Sequence, residues 1–241
     1  MSDRFFAEGL TVGSRATLAG DEARHLAAVM RAQVGDDVAL FDGSGAEFTG
    51  RIVSIQRSGV ELEIVERREL SRELPFELTL AVALPRGERQ KWLVEKATEV
   101  GVTTLVPLET ERGVAVAKDS SRQRLRRQVI EACKQCGRNR LMEIGEAKPA
   151  AEYFSSIGKD KLQLLADPTG RALSEVTKLP QAGVHIAVGP EGGFTAAEVA
   201  AARTAGWTLV SLGPRILRVE TAAVALAAWV ALSSPDQRPG C

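Results

Sequence analysis

The sequence predicts an α/β protein: a parallel sheet covered by helices, preceded by a small, β-rich, barrel-like domain. Three observations carry that prediction. After Pro75, short apolar runs alternate with segments of helical length, the rhythm of strand–helix units that cover a parallel sheet on both faces. Before it, runs alternating apolar and polar residues are separated by glycine-containing turns. A chain of 241 residues, 44% hydrophobic and 26% charged, is long enough for one large or two modest cores of ordinary globular composition.

In the first part, residues 37–41 read as a short strand and Asp42-Gly43-Ser44-Gly45 as a turn. Residues 47–55 and 60–65 follow as half-buried strands joined at Ser58-Gly59. Residues 21–31 are expected to form a helix with Asp21 as N-cap and Leu26, Val29 and Met30 on one face. The charged stretch 66–74, followed by Pro75, reads as a linker and sets expected domains at 1–70 and 75–241. Strands are then expected at 76–84, 103–107, 161–166, 184–188 and 207–212. Helices are expected at 87–100, with Trp92, Leu93, Lys96, Ala97 and Val100 near one face, and at 122–135, 195–204 and 220–232.

The most apolar stretch, 221–232, is shorter than the roughly 20 residues that span a bilayer, so it is expected to be a buried helix. MSDRFFAEGL turns polar too soon for a secretory leader. Cys133, Cys136 and Cys241 are an odd, sparse set, which suits a reducing compartment; a cytoplasmic location is the expectation. Net charge is zero, so there is no global case for nucleic-acid binding. Residues 118–148 nevertheless hold nine basic against four acidic residues. That local excess suits a phosphate backbone, although a solvated helix face is the commoner origin of such a run.

In open α/β sheets, ligands bind beyond the carboxyl ends of the strands. Three late strands end in unusual loops: Ala166-Asp167-Pro168-Thr169-Gly170, Gly189-Pro190-Glu191-Gly192-Gly193, and the stretch from Gly213 to Thr221. Glycine lets a backbone approach a ligand without a Cβ in the way. GPEGGF is not a P-loop, and no G-x-G-x-x-G follows the first strand of the α/β part, so dinucleotide binding of the Rossmann kind is not expected.

AVGPEGGF (187–194) with SLGPRILRVETA (211–222) resembles the cofactor-binding half of the SPOUT methyltransferases. Within that superfamily the chain most resembles the RsmE family, which methylates N3 of a uridine in 16S ribosomal RNA. The resemblance extends over nearly the whole chain. It runs through Arg4-Phe5-Phe6, His25-Leu26 with Val29-Met30-Arg31, Val34-Gly35-Asp36 and Phe41-Asp42-Gly43. It continues through Arg86-Gly87-Glu88-Arg89 with Lys96, Glu99, Val100 and Gly101, and then Cys133-Lys134-Gln135-Cys136-Gly137-Arg138-Asn139-Arg140. Met142 departs from it, standing where the family usually has proline.

The resemblance implies a PUA-like β-barrel domain, a SPOUT α/β domain whose C-terminal part forms a trefoil knot, and a homodimer using the knot helices. It implies S-adenosylmethionine bound at Leu165, Asp167, Gly189, Pro190, Glu191, Gly192, Gly193, Leu212, Gly213, Ile216, Leu217, Arg218, Thr221 and Ala222. The glycines of GPEGGF would then make room for the cofactor. The partner implied is 16S ribosomal RNA of the small subunit, contacted by Arg4, His25, Arg31, Arg86, Lys134, Arg138 and Arg140.

Methylating N3 of uracil requires in-line alignment and removal of a weakly acidic proton, by a base or by cationic stabilisation of the uracil anion. Arg218 is the candidate for polarising the base or gripping phosphate, and Glu220 or Glu191 is the candidate carboxylate. A role for Glu220 in complementing the dipole of the last helix stays open beside this one. No metal is expected, because Cys133-x-x-Cys136 lacks a second C-x-x-C or a histidine pair. His185 is expected as a satisfied core histidine. Two alternatives remain: a non-enzymatic ribosome-assembly protein on the same fold, and a methyltransferase acting on another RNA site.

Overall fold

The computed structural model describes residues 4–113, 119–176 and 183–233. The chain divides into two compact units, Met1–Glu73 with Ile130–Leu141, and Leu74–Val129 with Met142–Cys241. Lys118 and Cys241 lie outside the described residues.

The first unit is built on a mixed sheet of β1 (Arg4–Phe6), β2 (Arg15–Leu18), β3 (Asp37–Phe41), β4 (Ala46–Gln56) and β5 (Gly59–Glu69), in the order β1-β3-β4-β5-β2. Only β1 and β3 run parallel. Period-two patterning turns Phe48, Ile52, Leu62 and Ile64 into one core with Phe5, Leu26 and Leu40. Two expectations are corrected here. The segment 66–69 is not linker but the end of β5, where its charges pair on an exposed stretch, Arg68 with Glu66 at 2.6 Å and Arg67 with Glu69 at 2.5 Å. The expected helix is α1 (Gly20–Arg24), capped at Ala19 rather than Asp21, and it widens into a π-helical turn, His25–Val29. The wider winding breaks the 3.6-residue stripe, so Leu26 is buried while Val29 and Met30 are exposed.

The second unit contains β6 (Leu78–Val82), α2 (Glu88–Glu99), β7 (Thr104–Glu109), the first turns of α3 (Asp119–Cys136), β8 (Glu143–Ile144), β9 (Lys148–Pro149) and α4 (Ala150–Ser156). β10 (Leu162–Ala172), β11 (Val184–Val188), α5 (Ala196–Thr204), β12 (Thr208–Ser211) and α6 (Val219–Leu232) follow. The sheet order is β12-β10-β11-β6-β7-β8 with β9 beside β7, and all its pairs are parallel. The α/β expectation holds. The short, mostly apolar runs of β6 and β11 are buried except for the half-buried His185, as strands covered on both faces must be. Phe154, Phe194 and Trp207 pack edge to face, with Phe154 5.6 Å from Phe194 and 5.1 Å from Trp207, and the Trp207 indole N–H donates to the Phe154 carbonyl. On α6, Ala223, Leu226, Ala227 and Val230 are buried and recur at helical spacing. Among the described residues no helix is long and apolar enough to cross a membrane.

The main departure concerns β10. It does not stop at Ala166; the chain bulges over 167–170 and rejoins β12, with Ala166 and Arg171 both opposite Val210. Asp-Pro-Thr-Gly is a turn signal that here serves a bulge inside a strand.

Candidate functional site

Three strands, β6, β11 and β12, end near the level at which β10 enters its bulge. Ala166 of β10 is opposite Val188 of β11 and Val210 of β12, and Val188 is opposite Val82 of β6. Three expected loops and the loop after β6 therefore share one edge of the sheet. This is the arrangement that parallel strands produce and that ligands exploit.

Each loop has its own local cause. In the first, Thr169 donates to Asp167 from both its amide and its hydroxyl, at 2.8 and 2.5 Å. Gly170 lies so close to β12 that a Cβ there would sit 2.4 Å from the Val210 nitrogen. In the second, Gly193 adopts φ +68° and its amide donates to the Pro190 carbonyl at 2.8 Å, closing a turn. A Cβ on Gly189 would press on the Phe194 ring at 3.1 Å. Two of the three glycines in GPEGGF are thus required by the protein itself. Thr195 then opens α5 with a reciprocal capping box to Glu198. The loop is also tied down from outside: Arg89 pairs with Glu191 at 3.0 Å, and Arg112 donates to the Gly192 carbonyl at 2.7 Å. In the third, Gly213 takes φ +100°, Ile216 is 99% exposed, and Arg218 forms the N-cap position of α6.

The expected site residues separate by environment. Gly189 and Pro190 are buried, Asp167, Leu212, Leu217 and Ala222 are half-buried, and Glu191, Gly192, Gly193, Gly213, Arg218 and Thr221 are exposed along the edge. The Leu165 side chain is fully buried in the core with Ala187 and Leu209, so only its main chain faces the strand edge. Glu220 is only 6% exposed, and its Oε2 has no hydrogen-bond partner. Glu220, Arg218 and Thr221 line a cleft of about 470 Å³ together with Arg89 and Trp92 of α2. A smaller cleft of about 90 Å³ is lined by Arg86, Arg89, Pro190 and Glu191. Sequence reasoning assigned no role to Arg89, Trp92 or Arg112. Arg89 was visible in the R-G-E-R run, whereas nothing in the spacing ties Arg112 to Gly192.

The expected RNA contacts divide in the same way. Arg4 is 5% exposed; its guanidinium bonds to Asn139 and, at 3.1 Å, to the Cys133 carbonyl, pairs with Glu47 at 3.4 Å, and lies 4.8 Å from the Phe41 ring centre. Arg138 is 3% exposed and grips Glu73 through two bonds, of 3.1 and 2.5 Å. In this structure both guanidiniums are bound within the protein. Lys134 is half-buried and pairs with Glu22 at 2.6 Å. His25, Arg31, Arg86 and Arg140 are exposed, and Arg140 lines a cleft of about 200 Å³ with Arg72, Ser44 and Asn139. Cys133 is buried and burial pushes its thiol up to about 12, so it packs rather than reacts. Among the described residues there is no cluster of three or more groups suited to a metal ion.

His185 sits near the start of β11, away from the ligand edge, with Nδ1 2.8 Å from the Tyr153 hydroxyl. Burial, and then the nearby Lys161, lowers its pKa below the usual 6.5. A depressed folded-state value means that the unfolded chain binds the proton more readily. The contribution of His185 is therefore complete above the ordinary histidine pKa and is lost as pH falls below it. The wild-type melting temperature is expected to fall between about pH 7.5 and about pH 5.5, and His185→Gln to fall less over the same range. Thermal melts of both proteins across that range check the point; equal slopes would refute it.

A family profile described as an RNA methyltransferase domain matches residues 72–231, and one described as an RNA methyltransferase PUA domain matches residues 18–65. The chain is 34% identical over 218 residues to ribosomal RNA small subunit methyltransferase E of Synechocystis, covering 88% of this chain and 71% of that protein. It is 30% identical over 218 residues to the protein of the same name in Bacillus subtilis, covering 86% and 85%. This chain belongs to the ribosomal RNA small subunit methyltransferase E family. A crystal structure of that methyltransferase from Neisseria gonorrhoeae, bound to S-adenosyl methionine, superposes with a TM-score of 0.87 at 31% identity, covering 96% of this chain and 98% of that one. The methyltransferase thus joins a PUA-like mixed sheet to a parallel-sheet α/β domain of the SPOUT kind.

Proposed function

We propose that this protein transfers the methyl group of S-adenosylmethionine to N3 of a uridine in small-subunit ribosomal RNA. The observation that carries the reading is the shared edge at which β11 and β12 end and β10 bulges, where the last of the three loops lines a cleft holding a buried, unpartnered carboxylate oxygen. These loops suit S-adenosylmethionine: they offer main-chain groups at bulge and turn positions, and Gly213 keeps a positive φ free of side-chain obstruction. Main-chain groups of 166–170, 189–193 and 212–218 would hold the cofactor. When bound, it supplies a methyl group already activated on a sulfonium.

The chain's own residues supply the rest. Glu220 takes the N3 proton of the uracil, and Arg218 balances the charge that develops on the base. Glu191 is spent on Arg89 at 3.0 Å and so holds the second loop in place. Arg31, Arg140 and His25 of the first unit and Arg86 of the second, all exposed, serve the RNA. The same reading includes the trefoil knot, which is supported by β10 lying between β11 and β12 in the sheet. It also includes a homodimer in the cytoplasm, with the stripe Ala225, Ala228, Trp229 and Leu232 of α6, none of them buried, facing the second copy.

The test combines calorimetry with S-adenosylmethionine and methyl transfer to small-subunit RNA lacking the modification. Binding of the cofactor and recovery of 3-methyluridine by nucleoside mass spectrometry are expected. Absence of binding, with or without RNA, would favour an assembly role, and label on another base or on ribose would overturn the N3 assignment.

A further inference from the structure

Trp92 has no core role. On α2 the other large apolar side chains, Leu93 and Val94, are fully buried, whereas Trp92 is 42% exposed at the wall of the 470 Å³ cleft. The cleft is lined by charged residues of both signs whose apolar stems form much of its wall: Glu88 and Glu95 line it too, but Glu95 is already bound to Lys96 at 2.9 Å and Arg89 to Glu191. Lys91, Arg218 and Glu88 have no ion-pair partner among the described residues, so two cations and one indole face are left to a ligand beside the Glu88 and Glu220 carboxylates.

An aromatic face flanked by uncommitted cations is the means by which proteins hold unpaired nucleotides, the base stacking and the phosphate pairing. The cleft lies within the size range of small-molecule sites and is roomy enough for one nucleotide. Glu220 lines the same cleft, which places a carboxylate within reach of a base held there. We propose that this cleft receives the acceptor nucleotide of the RNA, unstacked from its neighbours, with Trp92 as its stacking platform, Lys91 on its phosphate and Arg218 beside the base. Trp92 is then a substrate-positioning residue of a site that the methyltransferase reading left without a base-binding surface, and the inference rests on that reading.

Two measurements test it. In steady-state methyl transfer, Trp92→Ala is expected to raise KM for the RNA about tenfold without altering the calorimetric affinity for S-adenosylmethionine. Trp92→Phe is expected to recover most of that loss. In the second, a single-stranded uridine hexamer is titrated against intrinsic fluorescence: quenching is expected in the wild type and should vanish in Trp92→Phe, which keeps Trp207 and Trp229. An unchanged KM in Trp92→Ala, or equal quenching in both proteins, overturns the proposal. So does conversion of Trp92→Ala from dimer to monomer, which would assign the indole to a protein contact. The fluorescence measurement decides even if the wild type transfers no methyl group, so this proposal and the methyltransferase reading can fail separately.

Discussion

Glu220→Gln is expected to lower kcat for methyl transfer by about 10²–10⁴-fold, the range that a positioned general base supplies. Cofactor affinity should stay as in the wild type, because the loops would hold S-adenosylmethionine through main-chain groups that the substitution leaves alone. The physical ground is an oxygen out of place. A carboxylate atom buried without a partner costs free energy, and folded proteins rarely keep one unless something else pairs with it. In the proposed reaction that partner is the N3–H of the acceptor base. A purely structural role makes a different prediction. Glu220 lies in the first turn of α6, where a negative charge offsets the helix dipole by about 0.3–1 kcal/mol. If only that role exists, Glu220→Gln will melt slightly earlier and turn over at the wild-type rate. Thermal melts and single-turnover rates on the same preparation separate the two.

What the sequence made legible follows from the range of the forces involved. VHIAV is bounded by glycines and apolar at every position but His185, so β11 matches its expected span of 184–188. Thr195 and Glu198 satisfy each other three residues apart, so the start of α5 was readable as well. The loops converged because strand direction alone fixes which ends of a parallel sheet meet. What stayed hidden depends on partners distant in the chain. Arg138 and Glu73 are separated by 65 residues and Arg4 and Asn139 by 135. An arginine in an RNA-binding motif looks the same whether it faces solvent or a buried carboxylate. β10 was cut short for another reason: the bulge satisfies every local signal for a turn, and only the backbone of β12 shows that the strand resumes. Trp92 escaped because helical spacing placed it with Leu93 and Ala97, and one position on a helix is enough to move a side chain from the core to a cleft wall.

Gly170→Ala is expected to be the most damaging single-methyl change in the α/β unit. A Cβ at that position would lie 2.4 Å from the Val210 nitrogen and 2.6 Å from the carbonyl carbon of Leu209. Both are main-chain atoms of β12, so no rotamer change relieves the contact. The bulge must lift, and the pairing of Arg171 and Ala172 with Val210 and Ser211 is lost with it. Overpacking of this kind costs about 1–3 kcal/mol when side chains can yield, and the upper end or beyond is expected where only backbone can. At about 2–4 °C per kcal/mol for a domain of this size, the melting temperature should fall by roughly 6–12 °C. Cofactor affinity should fall as well, because the first and third loops both spring from the disturbed pair of strands. Gly193→Ala is the control. It also sits in a proposed cofactor loop and at φ +68°, but no atom lies within 4 Å of its absent Cβ. Its cost is confined to backbone strain of about 1–2 kcal/mol. If the two variants melted together and bound S-adenosylmethionine alike, the close approach of β10 to β12 would not be what shapes the cofactor loops. If Gly170→Ala alone loses both stability and cofactor, one glycine holds the bulge, the strand pairing and the ligand edge together.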